Sequence, residues 1–202
     1  MIIRSANFVK SSAELQQCPE HNLPEYVFIG RSNVGKSSLI NMLTGINALA
    51  KVSGTPGKTQ LINHFEINKS WYLVDLPGYG FTKTGKKQRA VFADMNTKFI
   101  TNRENIACLF VLIDSRHEPQ SIDTTFVDWL GANGIPFAII FTKTDKLKPA
   151  VLTANIEAYK NHLLETWEEL PPIFTSSSVN RNGKEEILNY IDQINTDLEL
   201  TK

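Results

Sequence analysis

Between Tyr26 and Ser37 the chain reads Tyr-Val-Phe-Ile-Gly-Arg-Ser-Asn-Val-Gly-Lys-Ser. An apolar run leads into a loop bounded by Gly30 and Gly35, and Lys36-Ser37 opens a helix. This is the Gly-x4-Gly-Lys-Ser pattern of a P-loop. Glycines at its two ends let the backbone N–H groups of Arg31, Ser32, Asn33, Val34 and Gly35 converge on phosphate oxygens, and the helix N-terminus adds partial positive charge. Lys36 would reach the β and γ phosphates, the Ser37 hydroxyl would ligate Mg²⁺, and Ser38 completes the phosphate-facing turn.

A second element, Asp75-Leu76-Pro77-Gly78, ends the apolar run Trp-Tyr-Leu-Val. An acidic residue there can hold the Mg²⁺ shell through water. Gly78, with no side chain, leaves its N–H free to approach a γ-phosphate. Between these two elements lies Gly54-Thr-Pro-Gly57-Lys58-Thr59-Gln60. A threonine in such a segment can ligate Mg²⁺ and sense the γ-phosphate. Thr55 qualifies by chemistry, and Thr59 is preferred because it stands just before the next strand. Lys36, Thr59 and Gly78 are the residues expected at the γ-phosphate, where chemistry would occur.

The third element is Thr142-Lys143-Thr144-Asp145, again closing a buried run, Phe-Ala-Ile-Ile-Phe. A carboxylate at Asp145 can accept from both N1–H and the 2-amino group of guanine, a pattern adenine lacks. The Lys143 stem could lie along the base plane. Ser176-Ser177-Ser178 would supply a backbone N–H to guanine O6. Read singly, these segments are also ordinary strand-to-turn exits; their order is what gives them weight.

Elements to position these residues are visible. Strand candidates are Tyr26–Ile29, Leu61–Ile67, Trp71–Leu76, Ile106–Ile113, Pro136–Phe141 and Pro172–Thr175. Several are apolar throughout, as strands buried on both faces are. Only Asn68-Lys69-Ser70 separates the second from the third, so those two read as a hairpin. Helical stripes run through Ile122, Phe126, Trp129 and Leu130, and through Ile187, Tyr190, Ile191, Ile194 and Leu198. The expectation is an α/β three-layer fold: a mostly parallel six-stranded sheet with one antiparallel strand and helices on both faces. Residues 1–24 read as an N-terminal extension packed on a nucleotide-binding domain of 25–200, with 45–60 and 78–89 as loops.

With 42% hydrophobic and 21% charged residues among 202, the chain has a globular composition. Its longest apolar run, Ile106 to Ile113, is far short of the ~20 residues a membrane helix needs. No secretory signal is visible, and two cysteines form no disulfide framework, so a cytoplasmic, reduced protein is expected. The formal charge of zero is uneven: residues 51–90 carry seven Lys or Arg against two acidic groups, and 91–202 ten against sixteen. The four histidines lack a nucleophile or metal partner and read as surface or structural.

Gly-Arg-Ser-Asn-Val-Gly-Lys-Ser, Pro-Gly-Lys-Thr-Gln, Asp-Leu-Pro-Gly-Tyr-Gly and Thr-Lys-Thr-Asp, in this order, resemble the G motifs of translation-factor-class GTPases, and more narrowly the EngB family. The resemblance covers about residues 20–195. It implies a GTP/GDP switch with Mg²⁺ held by Ser37 and Thr59, Asp145 reading the base, and a role in large ribosomal subunit assembly. In Ras-like proteins a glutamine follows the third-motif glycine; here Tyr79 stands there, which implies slow hydrolysis. Asn33 resembles the asparagine that coordinates K⁺ in cation-stimulated relatives, unless it only bonds within its loop. Thr142 stands where many GTPases place asparagine.

Lys83, Lys86, Lys87 and Arg89, with Phe81 beside them, follow Asp-Leu-Pro-Gly directly. Ribosomal RNA phosphates are their natural partner, and a solvated loop is the alternative. Competing functions are a GTP-dependent binding module for another protein or a membrane, and a metabolite kinase. The kinase leaves Thr142–Asp145 unexplained. A monomer is expected.

Overall fold

The computed structural model describes residues 1–51, 61–79 and 86–200, without the side chains of 86–93. Every residue of β2 (Glu25–Gly30) is buried, which places this strand inside the sheet. Its side chains alternate between two cores. Tyr26 and Phe28 pack with Leu39, Ile40 and Leu43 of α1 (Lys36–Thr44) and with Ile187, Leu188 and Ile191 of α5 (Lys184–Leu200). Val27 and Ile29 face Phe99 and Ile100 of α2 (Lys86–Asn102), Val127 and Leu130 of α3 (Ser121–Ala132), and Tyr159 and Leu163 of α4 (Pro149–Leu164). Each fully buried large apolar side chain contributes roughly 1.5–3 kcal/mol against exposure, so an apolar run of this length is stable only between two helical layers.

The remaining strands are β1 (Ala6–Ser12), β3 (Ile62–Ile67), β4 (Trp71–Asp75), β5 (Ile106–Asp114), β6 (Phe137–Thr142) and β7 (Ile173–Thr175). They lie in the order β1-β3-β4-β2-β5-β6-β7. Strand β3 runs antiparallel to both its neighbours, and the pairs from β4 to β7 are parallel. The three-layer architecture and its single reversed strand are as the sequence implies. The hairpin turns at Asn68 and Lys69, both at positive φ (51° and 56°).

Two expectations need correction. The sheet has seven strands, not six, because the N-terminal extension supplies β1. Only Ala6 and Ser12 of β1 are buried, so its sequence carries no alternation. It is held instead by backbone pairing to β3 and by Asn68, whose Oδ1 accepts from the Arg4 and Ser5 N–H groups (2.7 and 3.1 Å) while its Nδ2 donates to Ile2 O (2.8 Å). The segment 78–89 is also not all loop, since α2 begins at Lys86. Its opening Lys-Lys-Gln-Arg is polar on every side, and the described buried residues, Asn96, Phe99 and Ile100, come later in the helix. Among the described residues no helix is long and apolar enough to cross a membrane.

At the opposite end of β2 from the P-loop, Glu25 is fully buried among basic groups. Arg103 donates to it from Nη2 (2.7 Å) and Nε (3.1 Å), and His21 Nε2 lies 3.0 Å away. His64 Nε2 lies 3.3 Å away, without hydrogen-bond geometry. His21 also stacks on Tyr72 at 3.9 Å, so both histidines are structural. Burial alone would raise the Glu25 pKa, but His64 and Arg103 outweigh it and hold the carboxyl below its ordinary value. Such a group contributes stability above about pH 4.3 that is lost as the pH falls through its lower folded value. Glu25→Gln is therefore expected to destabilise the fold by about 3 kcal/mol at pH 7, because Arg103 loses its buried partner. Urea unfolding across pH should show the gap to wild type narrowing below about pH 4.

Candidate functional site

The loop from Arg31 to Gly35 joins β2 to α1 through two left-handed residues, Asn33 (φ 62°) and Gly35 (φ 106°). Asparagine tolerates that region, and glycine enters it at no steric cost. Gly35 is the helix N-cap and has no side chain to satisfy the first-turn amides, which leaves them for an anion. Ser37 is half-buried in this first turn. Gly30 and Gly78 are required by close approach. A Cβ at 30 would stand 2.7 Å from Leu112 O, and one at 78 would stand 2.8 Å from Gly30 O and 3.2 Å from Ser32 N. The exit of β4 is thus pressed against the P-loop backbone, with Tyr79 N–H donating to Gly30 O (3.2 Å) and Leu76 N–H to Phe28 O (3.1 Å). The Leu76 side chain belongs to the core, and Pro77 O accepts from Asn96 Nδ2 (2.9 Å).

Lys36 and Asp75 are both buried and joined by an ion pair. Burial lowers the Lys36 pKa to about 7. The Asp75 carboxylate works the other way, and a phosphate would too. These groups fit a magnesium polyphosphate: an ammonium for phosphate oxygens, a carboxylate for a hydrated cation, a hydroxyl at Ser37 and first-turn helix amides with no partner among the described residues. Gly57, Lys58 and Thr59 lie outside the described residues, as do Thr55, Phe81, Lys83 and the side chains of Lys86, Lys87 and Arg89.

A second cluster stands beside the first, at the ends of β6 and β7. The Thr142 hydroxyl is 2.6 Å from Val34 O and 3.2 Å from Ile113 O, so this residue braces the P-loop. Lys143, at φ 60°, sends its Nζ to Asn33 O (2.6 Å) and Asp114 Oδ2 (2.8 Å). Asp145 Oδ1 accepts from Ser177 Oγ (2.6 Å), and Lys146 Nζ is 3.2 Å from Oδ2. The Ser177 bond is the main cause that lowers the Asp145 pKa and keeps it an ionised acceptor. Ser176 N–H donates to Phe141 O and Ser177 N–H to Asn182 O. Of the serine triplet this leaves the Ser178 amide available for a ligand carbonyl, among the described residues. Gly183, at φ 79°, closes that turn where a Cβ would meet Thr175 O at 2.0 Å.

Two side chains escape the sequence reading. Asp114, at the end of β5, is paired with Lys143 and with Arg116 Nη2 (2.7 Å). Burial would raise its pKa, but Arg116 and Lys143 hold it well below the usual carboxylate range. Its position at the close of an apolar strand is the same signal that marks Asp75. Asp123 of α3 is buried and accepts the Tyr79 hydroxyl at Oδ1 (3.0 Å), so the Tyr79 side chain is directed toward α3. Burial raises the Asp123 pKa despite that bond.

A strand–P-loop–helix unit beside a carboxylate–serine clamp, on a parallel sheet with one reversed strand, is the arrangement of P-loop GTPases. The family model described as 50S ribosome-binding GTPase matches residues 25–143. The probable GTP-binding protein EngB of Porphyromonas gingivalis is 60% identical over 198 residues, 98% of each chain. That of Bacteroides thetaiotaomicron is 57% identical over 202 residues, the whole of both chains. A crystal structure of a probable GTP-binding protein EngB superposes with a TM-score of 0.68 at 25% identity, covering 86% of this chain and 99% of that one. The chain belongs to this GTPase family and, within it, to the EngB group of GTP-binding proteins.

The Thr142 brace has a measurable consequence. Thr142→Val keeps the shape but leaves a buried P-loop carbonyl without its hydroxyl donor, for a loss of about 1–2 kcal/mol in unfolding experiments. GDP affinity by calorimetry should fall several-fold with it, while Thr142→Ser should restore both.

Proposed function

We propose that the protein is a Mg²⁺-dependent guanine-nucleotide switch that hydrolyses GTP slowly and acts on the large ribosomal subunit or its precursor. The observation that carries this reading is the hydrogen-bonded contact of the Gly78–Tyr79 backbone with the P-loop. A γ-phosphate reaching Gly78 would act on the segment that leads directly into Lys83, Lys86, Lys87 and Arg89, so nucleotide state and a basic run are linked by a few residues of chain. The family's description as ribosome-binding supports ribosomal RNA as what that run meets. Residues 25–200 would act as the guanine-nucleotide domain of a cytoplasmic monomer.

In this reading the amides between Arg31 and Ser38, save that of Val34, which donates to Arg31 O (3.2 Å), cradle the phosphates and Lys36 neutralises their charge. Ser37 and Thr59 would hold Mg²⁺, with Asp75 acting through water, and the bound ion would neutralise phosphate charge. Asp145, oriented by Ser177, accepts the guanine N1–H and 2-amino protons, and Ser178 donates to O6. Hydrolysis is slow because Tyr79 offers no carboxamide for the attacking water and its hydroxyl is engaged by Asp123. K⁺ would supply the missing charge. The Asn33 side chain is exposed, and among the described residues it makes no hydrogen bond that would occupy it.

Co-sedimentation with isolated large subunits should occur with a non-hydrolysable GTP analogue and not with GDP or an ATP analogue. Equal binding in all three, or none, would sink the ribosomal switch and favour another protein or a membrane as partner. GTP turnover should rise at least several-fold when K⁺ replaces Na⁺ at matched ionic strength, and Asn33→Ala should abolish the difference. Identical rates in the two salts would remove K⁺ from the mechanism.

A further inference from the structure

Tyr79 is fixed at three points. Its N–H donates to Gly30 O (3.2 Å), its ring packs on Phe126 of α3 (centroids 4.7 Å apart), and its hydroxyl donates to Asp123 Oδ1 (3.0 Å). Asp123 is itself a meeting point. Tyr159 of α4 brings its hydroxyl to 3.3 Å from Oδ2, and Arg31 of the P-loop brings Nη1 to 3.9 Å. Tyr159 is in turn held by the Gln120 N–H (3.2 Å). A carboxylate this deeply buried is costly to leave short of donors, so the arrangement strongly favours the Tyr79 hydroxyl in place.

We propose that Asp123 is a positioning residue for nucleotide discrimination: by latching Tyr79 it holds the Gly78 peptide against the P-loop and so favours GTP over GDP. The inference rests on the reading of Gly78 as the γ-phosphate contact. GDP lacks the γ-phosphate and makes no use of the Gly78 amide. GTP does, and its affinity is reduced in proportion to the time the amide spends away from its binding position. A ligand separates two states only by a difference in its contacts with them, and the latch sets how often that difference is realised. Displacing Gly78 from the P-loop means breaking the Tyr79–Asp123 bond or drawing α3 along.

The test is the ratio of affinities for a non-hydrolysable GTP analogue and for GDP, measured by calorimetry on the full chain with Mg²⁺. Tyr79→Phe removes only the hydroxyl and leaves the ring on Phe126, so the fold is kept. It should weaken the GTP analogue about five- to tenfold and GDP less than twofold. Asp123→Ala should do the same, and combining the two should add nothing, as expected of partners in one bond. Asp123→Asn retains an oxygen that can accept from Tyr79 and should shift the ratio by no more than about twofold. Equal weakening of both nucleotides, or an unchanged ratio in Tyr79→Phe, overturns the latch. Gly78→Ala separates this failure from that of its premise. If Gly78→Ala shifts the ratio and Tyr79→Phe does not, only the latch falls. If Gly78→Ala leaves the ratio unchanged, the γ-phosphate reading of Gly78 falls and takes the latch with it.

Discussion

Where β2 ends, three backbones come together more closely than side chains permit. Gly30 lies against Leu112 of β5, and Gly78, leaving β4, lies against Gly30 and Ser32. This steric constraint fixes the loop that follows. With Gly30 seated, the chain reaches the N-terminus of α1 through left-handed turns at Asn33 and Gly35, and Lys36 is delivered to Asp75 inside the molecule. Parallel pairing of β4, β2 and β5 is what makes the approach possible, since it brings all three carboxyl ends to one edge of the sheet. The same edge receives Thr142 from β6 and Asp145 from the turn after it, so the two clusters of the candidate site share one scaffold.

Much of that site is legible because its parts are contiguous in sequence. Gly30 to Ser37 is one uninterrupted motif, and Asp75–Gly78 and Thr142–Asp145 each close a buried strand. The side chains that couple them are not legible in this way. Asp123 draws partners from the P-loop, from the residue after Gly78 and from α4, and nothing in the spacing of Arg31, Tyr79 and Tyr159 announces a common point. Thr142 is a related case. Its position in the motif hints at a base or a loop contact, and only the packing shows its hydroxyl turned to Val34 O.

The fold divides along similar lines. Strands buried on both faces, such as β5 from Cys108 to Ile113, are readable from composition because each of those residues must be apolar. The hairpin is readable because only Asn68-Lys69-Ser70 separates two apolar runs, and asparagine at 68 tolerates the left-handed turn. Strand β1 is not, since it buries only its end residues and owes its place to backbone bonds. Helix α2 starts in a stretch with no apolar stripe, and α4, with only Tyr159 and Leu163 fully buried, carries a weak one. Tertiary pairing determines these elements, and local preference does little to mark them.

Strand β1 also bears on the order in which the molecule is built. Every partner it has in the sheet lies at least fifty residues further along, from Ser12 with Ile62 to Ala6 with Ile67. The Asn68 side chain, which accepts from Arg4 and Ser5 and donates to Ile2, is placed for those bonds by the turn of the β3–β4 hairpin. Closing so long a loop carries a chain-entropy cost that only the finished hairpin can repay. On this entropy argument β1 docks after the hairpin has formed, and until then the outer edge of β3 lacks its partner strand.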